Sequence, residues 1–198
     1  KISPATSTDI TLGDSGDTFT VPSGATIVNS GTATGFGGGK IQQVVQTYKT
    51  DVFSASGSGL GTWADVTGMS CAITPTKASS KIMVAVQFTC GASDQYASAK
   101  MQGDIDGAGY ADIGVPAASG SRTIGWFGSV MEASADYWAT SRVQQYLWTP
   151  SYTLTDVITV KMLYSMASGT FIINRCKNAT DIAQAILGTS SITLTEIN

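Results

Sequence analysis

The hydrophobic rhythm of the chain changes near residue 40. Beyond it, Ile82, Val84, Val86 and Phe88 recur at every second position, and Ile158, Val160, Met162 and Tyr164 do the same. A period of two places each set on one face of an extended strand. The intervening Met83 and Ala85, and likewise Val157, Thr159 and Leu163, make the opposite face apolar or nearly so. That suits strands covered on both sides, or strands facing a neighbouring subunit. Further strands are predicted over 41–48, 69–74, 97–105, 122–131, 142–148, 171–174 and 190–197, with turn residues between them. About nine strands of ordinary length predict an all-β fold, an antiparallel two-sheet sandwich of jelly-roll type. One stretch, 179–187, has Ile182, Ile186 and Leu187 at helical spacing and is the one place where a short helix fits.

Residues 8–39 read differently. Short apolar pairs (Ile10 and Leu12, Phe19 and Val21, Ile27 and Val28) alternate with turn sequences such as Pro22-Ser23-Gly24. So few apolar side chains cannot form a core within one chain. The segment is therefore either disordered or ordered by winding around copies of itself, as in a solenoid or an intertwined fibre. A glycine-rich joint, Gly35 to Gly39, follows. The predicted division is a threaded stalk or linker over 1–39 and a β-sandwich head over 40–198.

Composition agrees with strands. Charged residues are 13% of the chain, about half the usual share, and glutamate occurs only at Glu132 and Glu196. Exposed helices need more charge than this, whereas the plentiful Val, Ile, Thr and aromatics favour pleated surfaces. The net charge of −3 is spread without a basic cluster, which argues against nucleic acid as a partner. No apolar run approaches the ~20 residues of a membrane helix, so no membrane insertion is expected, and no signal-peptide pattern opens the chain. Because residue 1 is lysine, the chain reads as processed or as the end of something longer.

The residues that could carry chemistry are few. There is no histidine, so a Ser-His-Asp or Cys-His arrangement cannot be built. Cys71, Cys90 and Cys176 are too widely spaced for a metal site and read as buried thiols of a protein assembled in a reducing cytoplasm, although one disulfide among them stays open. Asp104-Ile-Asp106-Gly107 opens like a calcium loop, but Val115 stands where the twelfth-position glutamate belongs, and a hairpin turn explains the motif. Glu132 and Asp136 resemble a glycosidase pair only in composition; a solvated loop accounts for them. Asn178-Ala-Thr180 matches a glycosylation acceptor by chance. The expectation is a protein that is not an enzyme, with no catalytic residue, cofactor or metal.

Binding character concentrates between Trp126 and Trp148, which hold Phe127, Tyr137, Trp138 and Tyr146 between them. Trp126, Phe127, Tyr146 and Trp148 are expected mostly in the core. Tyr137 and Trp138 fall in a loop and are the leading candidates for contact with a ligand; Tyr96 and Tyr110 are weaker ones.

Two stretches resemble the tail-fibre and related virion fibre proteins of marine and cyanobacterial phages. One is 10–26 (ITLGDSGDTFTVPSGAT) with 29–35 (NSGTATG), similar to threaded repeats that lead into fibre heads. The other is the ordered set 39–45 (GKIQQVV), 73–82 (ITPTKASSKI), 171–175 (FIINR) and 190–197 (SSITLTEI). The resemblance implies a homotrimer with a threaded stalk and a sandwich head. The expected function is non-covalent attachment of a virion to a host cell-surface glycan or protein, with other virion proteins held through the N-terminal segment. The alternative is a purely structural capsid decoration, cement or collar fibre. Residues 94–153 match no block, so no receptor contact carries over.

Overall fold

In a computed structural model of the chain, the structure describes residues 15–18, 20–28, 30, 40–92, 96–128, 137 and 139–198. Contacts divide it into two units, Lys1–Gly38 and Gly39–Asn198. In the first, the amide of Ala25 donates to the Pro22 carbonyl at 3.1 Å, closing the turn that the Pro-Ser-Gly sequence predicts, with Gly24 at φ +85°. Ile27 and Val28 of this unit are exposed in the single chain. Ile10, Leu12 and Phe19 lie outside the described residues.

Among its described residues the second unit has ten strands: β1 (Ile41–Lys49), β2 (Phe53–Ser56), β3 (Ala64–Ile73), β4 (Lys81–Ala92), β5 (Ala97–Ile105), β6 (Ala111–Ile113), β7 (Thr140–Trp148), β8 (Ile158–Met166), β9 (Thr170–Ile173) and β10 (Ser190–Ile197). All pairings are antiparallel. One sheet has β10 and β7 on the two sides of β4, with β1 beyond β10; past the start of β10, β9 and β2 continue it along the end of β4. The other sheet runs β3-β8-β5-β6. An order of 1-10-4-7 facing 3-8-5-6 is that of two interleaved Greek keys, a jelly roll.

The core lies between the sheets and is supplied by the predicted period. Ile82, Val84, Val86 and Phe88 of β4 meet Ile192 and Leu194 of β10 and, from the facing sheet, Ile158, Val160 and Met162 of β8 and Met101 of β5. Full burial of each such side chain contributes on the order of 2 kcal/mol. Asn174 marks the point where β9 gives way to β10. Buried and at φ +67°, a conformation that asparagine tolerates, it donates to the carbonyls of Lys49 and Asp51 and accepts from Ser190 Oγ at 2.6 Å. It thereby ties the β1–β2 bend to the β9–β10 break.

Two expected elements are corrected. The strand predicted over 122–131 is absent from its described part, where only Phe127 pairs, with Ala99. Gly125 lies so close to Ser98 and the Ala99 carbonyl that a side chain there has no room, so the segment is pressed onto the edge of β5 without extending into a ladder. The helix envisaged over 179–187 is a series of turns. Ile182, Ile186 and Leu187 are exposed, so an apolar stripe would have nothing to pack against, and the Cys176 amide instead takes the Ile186 carbonyl at 3.2 Å. No helix occurs among the described residues.

Candidate functional site

Strand directions sort the connections of the second unit into two ends. The chain enters at β1 beside its own C-terminus, where the Asn198 amide donates to the Lys40 carbonyl at 2.8 Å. The 74–80, 106–110 and 149–157 loops lie at this entry end, since β3, β5 and β7 all run toward it. The 57–63 and 167–169 connections, together with Tyr96 just before β5 and the start of β7, lie at the opposite, distal end.

The distal end holds a shallow groove of about 320 Å³, lined by Leu60, Tyr96, Ala97, Ser98, Arg122, Thr123 and Gly128. Backbone hydrogen bonds fix its walls. The Gly59 amide donates to the Met166 carbonyl at 3.0 Å, the Gly61 amide to Ser165 Oγ at 2.9 Å, and the Ala167 amide to the Tyr96 carbonyl at 3.0 Å. From the other side, the Phe127 and Ala99 backbones exchange two hydrogen bonds, and Ser98 Oγ donates to the Phe127 carbonyl at 2.7 Å. Leu60 is 47% and Tyr96 54% exposed. The groove thus combines apolar and aromatic surface with the Thr123 hydroxyl and the Arg122 guanidinium, whose Nη1 also donates to Ser119 Oγ at 2.9 Å, a mixture suited to a sugar ring or a short polar chain.

Of the four candidate residues, Tyr96 is in this groove. Tyr137 is at the same end, three residues before β7, and is 40% exposed. Trp138, Glu132 and Asp136 lie outside the described residues. Tyr110 is at the entry end, so the structure does not bring it together with Tyr96. Its ring is covered by the Lys161 ammonium at 4.0 Å, which also pairs with Asp65 at 2.8 Å. That arrangement leaves one aromatic face occupied. A separate groove of about 330 Å³ runs past Tyr110, Lys161 and the 65–70 stretch of β3.

The remaining motifs are structural. Asp104 accepts the amides of Gly107 at 2.9 Å and Gly109 at 2.6 Å, and Asp106 and Gly107 take positive φ; the sequence is a hairpin turn whose carboxylate is engaged by backbone. Among the described residues no group of three or more His, Cys, Asp or Glu gathers as metal ligands. Trp126 and Phe127 are core, with Phe88 and Phe127 meeting edge to face at 4.8 Å, and Trp148 packs against the core. Tyr146, expected inside, is 39% exposed, touching Trp126 edge-on from a strand at the sheet margin. Asn178 Oδ1 accepts the Thr180 amide at 2.8 Å in a local turn.

Sequence reasoning missed Leu60, Arg122 and Thr123. The available signal was Leu60 itself, an apolar residue set in a Gly-Ser-Gly-Leu-Gly stretch where nothing local would bury it.

No family model matches the chain, and no curated protein matches it in sequence. Among solved structures it is similar to a chain in the structure of infectious bursal disease virus Gx strain, with a TM-score of 0.35 and 9% identity over 79% of this chain. The chain spans only 36% of that neighbour's length. The jelly-roll assignment rests on the strand order described above.

Proposed function

We propose that the chain is the head and stalk of a homotrimeric virion fibre of the phage tail-fibre type, assembled in a bacterial cytoplasm, that attaches the virion to a cell-surface glycan or protein. One observation carries this reading: Tyr96, Leu60 and Tyr137 stand exposed at the end of the sandwich away from the point where the chain enters. A head held through its N-terminal side presents that end outward, and a rigid jelly roll holds its loops in place while leaving their residues unconstrained. The ordered blocks at both termini of the head, which resemble those of fibre proteins, support the same reading. Attachment is non-covalent, and three weak sites act together through effective concentration. A saccharide fits the groove: Tyr96 offers a flat face and Thr123 a hydroxyl.

The test is binding of the labelled full chain to cells that the virion infects. We expect Tyr96→Ala to lose roughly tenfold per site, on the order of 1–2 kcal/mol, compounded across three sites. Tyr110→Ala, at the other end, serves as the control and should bind like the wild type. Equal binding by Tyr96→Ala and the wild type contradicts the distal groove as the receptor site. A wild-type chain that binds no such cell contradicts attachment itself and favours a decoration or collar fibre.

A further inference from the structure

The two sheets turn very different outer faces away from the core. On the β3-β8-β5-β6 sheet that face carries charge, and the charge is satisfied. Lys161 pairs with Asp65 at 2.8 Å and covers the Tyr110 ring. Lys100 pairs with Asp112 at 2.8 Å and lies 4.4 Å from the centre of the Trp63 ring. Much of that face is already covered within the chain, with Lys100, Leu163 and Ser165 buried.

The outer face of the β1-β10-β4-β7 sheet is not. Register places three rows across it: Val44, Thr195, Met83 and Leu147; Gln46, Thr193, Ala85 and Gln145; Tyr48, Ser191, Gln87 and Val143. None of these side chains is charged. Val143 is 71%, Tyr48 59% and Val44 58% exposed in the single chain. The first charged residue met along β4 is Lys81, at the margin. Four strands about 4.8 Å apart and three rows about 7 Å apart give roughly 400 Å² in projection. That is enough for the core of a standard interface, which buries about 800 Å² per partner including its rim. Charge-poor centres with apolar and aromatic side chains are what such cores contain.

We infer that this face is the surface through which the heads of neighbouring copies of the chain pack on one another. The partner follows from the charge. A face with no charge offers a foreign partner no electrostatic handle, but it meets its own copy without repulsion. The exposed Ile27 and Val28 of the first unit are a second apolar surface of the same chain that the single chain leaves uncovered. The inference rests on the homotrimer proposed above and adds where the heads touch.

The native cysteines of the chain are all buried, so a thiol introduced on the surface can be read alone. Val143→Cys places one on the uncharged face, and Ala72→Cys places one at an exposed position on the charged sheet. Both full-length variants would be sized by light scattering and labelled with a maleimide. The expected result is a trimeric mass for both, with Val143→Cys labelled at least tenfold more slowly than Ala72→Cys. A trimer in which both label at the same rate overturns the inference and leaves the trimer standing. A monomer overturns the trimer and the inference together; slow labelling within that monomer would assign the cover to the chain's own first 38 residues.

Discussion

Glu196 on β10 and Thr76 in the β3–β4 loop are joined by three hydrogen bonds across 120 residues of sequence: the Thr76 amide donates to both carboxylate oxygens at 2.9 and 3.0 Å, and Thr76 Oγ1 donates at 3.0 Å. The Lys77 amide, Ser80 Oγ and Gln43 Nε2 add donors at 2.9, 2.8 and 2.8 Å. A carboxylate that the strand alternation points into the sandwich thus anchors the loop at the entry end. Tyr152 holds the same loop from the other side, donating to the Lys77 carbonyl at 2.7 Å.

Acid should release this anchor. Burial alone would raise the Glu196 pKa, but the hydrogen bonds from Thr76, Gln43, Ser80 and Lys77 outweigh it and hold the group at about 2, against an ordinary 4.5. Because the folded value is the lower one, the stabilisation is fully present above pH 4.5 and is lost as pH falls toward 2. It amounts to on the order of 2–3 kcal/mol. In urea unfolding, Glu196→Gln should be less stable than the wild type at pH 7, and the gap should shrink by pH 2.5. A gap that is the same at both pH values would contradict the assignment.

Packing at the entry side of the core is equally specific. A Cβ added at Gly103 on β5 would run into the indole ring of Trp148 on β7, which reaches across from the opposite sheet. Gly103→Ala should therefore cost about 1–3 kcal/mol, seen as a lower melting temperature. Trimming the ring in the double variant Gly103→Ala/Trp148→Leu should recover part of what the two single losses sum to, a coupling that independent sites would not show.

The thiols should be silent until the protein unfolds. Cys71, Cys90 and Cys176 are free and buried, and burial pushes the Cys90 thiol up to about 12, against a smaller opposite pull from Arg142. Titration with a chromogenic disulfide should count none in native protein and three in denatured protein. A denatured count of one would mean that two are bridged.

Much of the sandwich was legible because alternation is a local signal. β5 and β10 fall on 97–105 and 190–197 as their patterns predict. β2 and β6 were not legible: Phe53-Ser-Ala-Ser and Ala111-Asp-Ile are too short and too polar to alternate, and they are strands because a neighbouring strand, β9 or β5, offers them an edge. The 122–131 stretch misled for the converse reason, since in its described part Trp126 and Phe127 are buried while only Phe127 pairs with β5. Of the site, Tyr96 and Tyr137 could be named as loop aromatics. The groove could not be foreseen, because it joins Leu60, Tyr96 and Arg122 from three connections that meet only once β2, β5 and β8 are registered.

The most direct test of attachment is competition. Purified full-length chain, added in excess to host cells before the virion, should occupy the receptor and slow virion adsorption in proportion to the cell-surface sites filled, and Tyr96→Ala protein should compete far less well. Virion adsorption that proceeds at its normal rate in the presence of saturating wild-type protein would contradict the account.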